Sequence, residues 1–239
     1  MIQFTHIADD NPDLALSPLL RGARLTLDYI EANGPIGLTP LKALKRYFVQ
    51  WAAEAFAWPF YEPEDLYYLN KVLNEQDFPP LMVLHDVLLS AKLVRHAKGA
   101  MHCTKLGKQL KSKPGELWTV LADHLLALDH APYTRHEDSL VGNWGIFLNV
   151  INVEAHNGAS KDRLSSVLFG GGSEDGRNDH RLRAVFYIHV LRPLTWLGLM
   201  QEHRIGSGQE RQDIFTKTPL WAAALSLETD RHLENLARH

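Results

Sequence analysis

A short pattern occurs twice in this chain of 239 residues and limits the folds that are open to it. An apolar pair, a polar loop with glycine and a Thr-Lys pair follow one another at 93–105 and again at 199–217. Each copy lies between two apolar stretches with helical spacing, which predicts a helix, a β-hairpin and another helix. Thr104 and Thr216 end the two copies 112 residues apart, close to half of the chain. We therefore predict two related modules in tandem.

The composition allows two packed domains. Apolar residues make up 45% of the chain and aromatic residues 9%, which is enough for two cores. We predict a mainly α fold with small β-hairpins, in which modules covering 1–131 and 132–239 pack together across the short polar segment 131–134. Because Cys103 is the only cysteine, an internal disulfide and a cysteine-based zinc site are excluded.

The sequence carries no signal for a membrane. No apolar run approaches the roughly 20 residues that a membrane-spanning helix needs. The first residues lack the basic start and the apolar core of a signal peptide. We predict a cytoplasmic protein without a membrane partner.

Two helices of the first module are predicted to turn polar side chains outward. Thr39-Pro40 resembles an N-cap followed by proline, which predicts a helix that starts there and buries Leu41. This helix would expose Lys42, Lys45 and Arg46. The next helix, which opens at Glu62, would carry a polar stripe of Tyr67, Asn70, Lys71 and Asn74. Such a stripe can read base edges in a major groove, although an ordinary solvent-exposed helix face has the same pattern.

The helix predicted at 81–93 is apolar almost all round, so we expect it to be buried. In this order of elements it occupies the position that would enter a DNA groove. Its lack of basic and amide side chains argues against groove reading by the first module.

The positive charge of the chain is concentrated in one stretch. Residues 88–114 hold seven lysines and arginines and no acid. Removing these seven charges from the net charge of −3 leaves −10 for the rest of the chain. A local basic surface is what a polyanion-binding protein needs, although a solvated face that maintains solubility would have the same composition.

The second module is predicted to contain a long helix from Asp179 to Leu199, which Pro193 would kink or split near Arg192. Arg181 and Arg192 make its surroundings basic. The loop at 204–211 would be six residues longer than its counterpart in the first module. A glycine-rich connection is predicted at 170–176, and a terminal helix from Pro219 to about Ala237.

The sequence offers no recognisable catalytic or metal-binding pattern. His124, His130 and His136 are spaced six apart, which separates neighbouring residues by about 240° around a helix. Cys103 and His102 alternate along a predicted strand, so they face opposite sides and cannot pair as nucleophile and base. We therefore predict a protein that is not an enzyme and needs no cofactor or metal.

The order of helix, short strand, helix, helix, two-stranded hairpin and helix resembles the winged-helix superfamily. The hairpins that end in Thr-Lys before a new helix are similar to those of bacterial winged-helix regulators. The positions that carry this resemblance are Leu93, Thr104, Leu199 and Thr216, and their role there is structural. The resemblance implies a winged-helix fold and binding to double-stranded DNA, while a minority of the superfamily uses the fold for protein contacts.

Two functions follow as hypotheses. The first is a DNA-binding protein that acts as a transcriptional regulator. Its candidate contacts are Lys42, Lys45, Arg46, Asn70, Lys71, Arg95, Lys98, Lys105, Lys108, Arg181 and Arg192. The second is a protein-interaction or assembly module, binding a protein partner or a second copy of the chain. It is motivated by the negative net charge of the chain outside residues 88–114 and by aromatic residues predicted to be exposed at Trp58, Phe60 and Tyr61.

Overall fold

The structure is a computed structural model that describes residues 2–133, 143–170, 176–206, 211–231 and 233. The chain is mixed α/β and divides into two compact units. The first unit is Ala8–Leu126. The second unit combines the segment before Ala8 with the chain from Ala127 onward. Among the described residues, no helix has the length and apolar character needed to cross a membrane.

The first unit is mainly helical and contains one small sheet. Its elements are α1 (Pro18–Asn33), β1 (Ile36–Gly37), α2 (Arg46–Ala55), α3 (Pro63–Leu69), α4 (Pro79–Ser90), β2 (Val94–Ala97), β3 (Ala100–Cys103), α5 (Lys105–Leu110) and α6 (Pro114–Ala127), with 3₁₀ turns at Pro12–Leu16 and Glu75–Asp77. The middle strand is β3, which pairs antiparallel with β1 and with β2. Lys98 and Gly99 form the hairpin tip with φ of 51° and 71°, the left-handed pair that a tight two-residue hairpin turn requires.

The second unit repeats this arrangement. Its described elements are a 3₁₀ turn at Ala131–Tyr133, α7 (Trp144–Glu154), β4 (Ala159–Ser160), α8 (Lys161–Phe169), α9 (Gly176–Phe186), a π-helical turn at Tyr187–Leu191, α10 (Arg192–Trp196), β5 (Met200–Ile205), β6 (Gln212–Lys217) and α11 (Pro219–Ala224). The sheet order is β4-β6-β5, so the last strand again lies in the middle. Both predicted hairpins are confirmed, and they occupy the same place in the two units.

The ends of the two hairpins define the alignment of the units. Leu93 N–H donates to Leu88 and Thr104 N–H donates to Leu93. In the second unit the matching bonds run from Leu199 to Leu194 and from Thr218 to Leu199. Thr104 therefore corresponds to Thr218 at an offset of 114 residues, and the pairing with Thr216 predicted from the Thr-Lys pattern is wrong by two residues.

The predicted start of the second helix is also wrong. The helix α2 begins at Arg46, and the segment before it is a loop in which Lys42 has a φ of 65°. Thr39 caps a single turn, because its hydroxyl accepts the Ala43 N–H at 3.1 Å. Leu41 is 92% exposed and not buried as predicted. The loop is closed by a distant side chain, since the Glu75 carboxylate accepts the Leu44 N–H at 2.6 Å.

The polar stripe predicted after Glu62 does not lie on one helix. The helix α3 ends at Leu69, and Asn70 follows with extended backbone (φ −125°, ψ 115°). Its amide donates back to the Leu66 carbonyl at 3.2 Å. Lys71 and Asn74 lie beyond the helix, so the four side chains do not share a face.

The long helix of the second unit continues through its proline. A π-helical turn lies directly before α10, whose first turn contains Pro193, and the backbone of Leu191 and Arg192 stays helical (φ −68° and −62°), so the helix changes type beside the proline and does not end there. The predicted terminal helix is shorter than expected, because α11 ends at Ala224 and Leu225 is extended (φ −122°, ψ 143°). Most of the glycine-rich connection (171–175), the hairpin tip at 207–210 and residues 234–239 lie outside the described residues.

Candidate nucleic-acid interface

Five exposed cations lie on the first hairpin, its base and the helix that follows it. We call this group the basic hairpin surface: Lys92, Arg95, Lys98, Lys105 and Lys108. The other two cations of the stretch are paired with acids. Lys111 binds Asp28 at 2.8 Å and also contacts Glu31, and Lys113 binds Glu116 at 2.7 Å. Within the described part of the chain, no ion pair joins any of the five to an acid.

The base of the hairpin holds three of these cations close together. The Thr104 hydroxyl donates to the Lys92 carbonyl at 2.8 Å and accepts the Gly107 N–H at 3.0 Å. It therefore caps α5, which carries Lys105 and Lys108, and fastens that helix to the chain segment that leads into β2.

Strand alternation sets the direction of the other two cations. Val94 is buried in β2, so Arg95 points to the opposite, outer face, across from His102 of β3. Lys98 lies at the exposed tip. At about 3.3 Å per residue, the cations are distributed over roughly 13 Å of hairpin between base and tip.

A second group of predicted contacts, Lys42, Lys45 and Arg46, is exposed beside the sheet. A Cβ atom on Gly37 would lie 2.9 Å from the Cδ of Lys45, so this side chain covers Gly37 on the outer face of the sheet. The Leu38 N–H donates to the Gly99 carbonyl at 2.8 Å and ties the loop to the hairpin tip. Arg46 donates to the Asn74 side chain at 3.2 Å. The structure thus brings Lys45 near the hairpin tip, although Lys42 and Lys45 are not on the helix that was predicted for them.

Several predicted contacts lie elsewhere. The prediction that α4 is buried is confirmed, and its one acidic or basic side chain outside the core is Asp86. Asn70 directly follows the end of α3, and its side-chain amide donates to the Leu66 carbonyl of that helix. Lys71 is exposed in the loop after it. Trp58 is 1% exposed, which contradicts its predicted place on an aromatic interaction surface.

The two predicted arginines of the second unit differ in exposure. Arg181 is exposed on α9. Arg192 is buried, and its guanidinium lies 4.9 Å from the centre of the Trp196 ring. The structure therefore excludes Arg192 from the surface, because the turn of π-helix before it rotates this residue into the core.

The second unit also contains a polar cavity of about 460 Å³, whose lining includes Lys161, Arg183, Arg211 and Asp213. Lys161 and Arg211 both bind Asp213, at 2.8 and 3.0 Å. Burial acts to raise the pKa of Asp213, but the hydrogen bonds from these two cations outweigh it and lower that pKa. Arg183 binds Asp162 at 3.2 Å. These three cations around the cavity are paired with aspartates, whereas the structure shows no ion pair to an acid for the basic hairpin surface among the residues that it describes.

Sequence reasoning missed a buried chain of three titratable side chains. Glu75 and His85 are each 6% exposed, and their Oε1 and Nδ1 atoms are 2.6 Å apart. The Nε2 atom of His85 lies 2.8 Å from the Nε2 atom of His96, which is partly exposed on β2. Burial, His85 and Lys42 all lower the pKa of His96. The only signal in the sequence was a single histidine within the apolar run at 81–93.

This chain of side chains is not accompanied by a metal-binding cluster. In the residues that the structure describes, no three or more histidine, cysteine, aspartate or glutamate side chains converge in a way that could hold a metal ion.

The fold and the comparisons identify the class of protein: a two-unit, mixed α/β protein in which each unit has a three-stranded antiparallel sheet. The family model of the Y4jL N-terminal domain matches residues 15–116, and that of the y4jL C-terminal domain matches residues 134–219. A curated relative from Sinorhizobium fredii, "Uncharacterized protein y4jL", is 41% identical over 157 residues, which cover 65% of this chain and 71% of the relative. The chain belongs to the Y4jL family. No solved structure matches it.

Proposed function

We propose that this protein binds double-stranded DNA through the basic hairpin surface and acts as a transcriptional regulator in the cytoplasm. We further propose that its domains, predicted at 1–131 and 132–239, are winged helices. The order of elements supports this fold, because each unit has a helix, a short strand, further helices and a hairpin whose last strand is central. The observation that carries the function is the group of five exposed cations without an acidic partner among the described residues.

The chemistry of this surface suits phosphate contacts. Lysine is a flexible point charge that binds phosphate oxygens without reading the sequence. Cations that are already paired with carboxylates lose part of that attraction, and within the described ranges the five cations of the basic hairpin surface have no such pairing. The first unit would therefore position the duplex and contribute affinity that depends strongly on salt.

Base reading by the first unit is not part of the proposal. The helix α4 is packed into the core, and Asp86 would repel phosphate. Any sequence preference would come from α9 in the second unit, where Arg181 is exposed and arginine can bind guanine with two hydrogen bonds.

The test is a binding titration with a fluorescent duplex at several salt concentrations. With roughly 0.9 counterions released per neutralised phosphate, five contacts give a slope of about −4 to −5 for log K against log salt. Replacing Lys98, Lys105 and Lys108 by glutamate should lower the affinity at low salt by at least about a hundredfold and flatten the slope by about 3.

The matched control compares single charge reversals. Lys98→Glu should weaken binding, while Arg24→Glu, an exposed residue of α1, should leave it nearly unchanged. Equal losses for both would show only a general effect of net charge and would overturn the proposed site. Absence of duplex binding by the unaltered protein at low salt would overturn the function, and a protein that co-purifies with the chain would then favour the interaction hypothesis.

A further inference from the structure

We infer that the Glu75–His85–His96 chain is a latch that fastens the first hairpin to α4, with Glu75 as the positioning residue that fixes the direction of both histidine hydrogen bonds. It joins three elements: the 3₁₀ turn with Glu75, the helix α4 with His85 and the strand β2 with His96. The effect of the latch on DNA binding rests on the function proposed above.

The direction of the bonds follows from the atoms available. The Glu75 carboxylate accepts the Leu44 N–H on one oxygen and faces His85 Nδ1 with the other. A carboxylate can only accept, so His85 Nδ1 must carry a proton and donate it. The Nε2 atom of a neutral His85 is then an acceptor. His96 must therefore donate from Nε2 to close the 2.8 Å contact.

The same contact depends on the number of protons that the two rings share. One additional proton leaves the bond intact, because one Nε2 atom still donates and the other accepts. Two additional protons place N–H groups on both Nε2 atoms, and the bond is lost. Two cationic rings with centres 5.0 Å apart would also repel each other.

The surroundings of His96 decide whether the pair of rings can hold both additional protons. Lys42 from the loop before α2 and His85 from α4 oppose a positive charge on His96. Glu75 from the 3₁₀ turn and Asp86 from α4 favour it. Burial, the largest effect, opposes it, so the pKa of His96 is lowered overall. The latch should stay closed at neutral pH and open only in acid.

Opening the latch would act directly on the basic hairpin surface. His96 lies two residues before Lys98 at the hairpin tip and one residue after Arg95. When β2 is no longer fastened to α4, these two cations lose their fixed position, and an ordered phosphate contact becomes less favourable.

The first experiment reads the tautomers by two-bond ¹H–¹⁵N NMR of the histidine rings at neutral pH, without DNA. The signals among the 13 histidines are assigned by their loss in His85→Gln and in His96→Gln. We expect a proton on Nδ1 of His85 and on Nε2 of His96. The opposite tautomers in the unaltered protein would overturn the latch.

Glu75→Gln should reverse both tautomers. One side-chain oxygen is needed to accept the Leu44 N–H, so the amide NH₂ must face His85 and donate to its Nδ1. His85 then carries its proton on Nε2, and His96 must accept there and hold its own proton on Nδ1. A purely packing role for Glu75 would leave the tautomers unchanged, and that result would overturn its positioning role.

The second experiment measures amide hydrogen exchange in β2 and β3 as a function of pH, expressed as protection factors. Protection in the unaltered protein should fall about tenfold as the pair of rings takes its second additional proton, the loss expected for one hydrogen bond. His96→Gln can still donate to His85 but cannot take a proton, so its protection should not change with pH. Equal pH dependence in both proteins would overturn the latch. Because no DNA is used, this failure is distinguishable from a failure to bind DNA.

Discussion

Gly107 allows the first hairpin and α5 to meet. A Cβ atom at this position would lie 2.2 Å from the Leu93 carbonyl oxygen and 2.9 Å from the Cys103 sulfur. Neither neighbour can move freely, since Leu93 O also accepts the Thr104 N–H. We expect Gly107→Ala to lower the free energy of unfolding by about 1–3 kcal/mol, as overpacking does in a core. Urea unfolding of the intact protein and of the variant measures this difference in the free energy of unfolding.

The matched control is Gly145→Ala in α7. A Cβ atom there would meet nothing within 4 Å, so only the helix propensity changes. This replacement should be neutral or stabilising by up to about 1 kcal/mol. Similar losses for both variants would show that the contact with Leu93 is not the cause.

At the scale of elements, the two units end the helix before the hairpin in the same way but with different residues. Lys92 has a φ of 57° after α4, and Gly198 has a φ of 77° after α10. Both positions follow the last helical turn, where glycine is the usual residue because it has no Cβ to oppose a left-handed backbone. Lysine at this place keeps a cation at the base of the hairpin and leaves the backbone strained.

We therefore expect Lys92→Gly to have opposite effects on stability and on binding. The free energy of unfolding should rise by about 0.5–1 kcal/mol, because relief of the left-handed strain exceeds the entropy that glycine adds to the unfolded chain. Duplex affinity should fall, with a salt slope flatter by about 0.9. Thermal unfolding and the duplex titration measure the two effects. If Lys92→Gly were less stable than the unaltered protein, the left-handed backbone at residue 92 would not be the source of strain. Gly198→Ala, the reverse change at the matching position, should be destabilised.

Local sequence patterns predicted both hairpins and the buried α4, because period and turn chemistry within a few residues determine them. They failed where a distant group decides the structure. The start of α2 depends on the Leu44 N–H, which donates to the Glu75 carboxylate. Thr39-Pro40 by itself indicated a helix that begins earlier. The burial of Arg192 depends on a π-helical turn that no local signal announces. The sequence showed that residues 88–114 hold seven cations and no acid, but which of these cations pair with acids among the described residues required coordinates.

For the whole molecule, acid should act through His96 and through Asp213 in different pH ranges. The pKa of His96 in the first unit is lowered by burial, then by His85 and Lys42. Above its ordinary value of about 6.5, the ring is neutral in the folded and unfolded chain and contributes nothing to the pH dependence. Below that value the unfolded chain takes a proton that the folded unit resists, so the free energy of unfolding falls as pH falls.

Asp213 in the second unit should respond at lower pH. Burial raises the pKa of Asp213, but Lys161 and Arg211 lower it further, so the carboxylate stays charged in the folded unit below its ordinary value of about 3.9. Its stabilising effect is therefore lost only as pH falls through that lowered pKa. Amide exchange of α1, followed from neutral pH downward, should show the first unit losing protection just below about 6.5, and His96→Gln should remove that loss. An unchanged profile in that variant would assign the pH dependence to other groups.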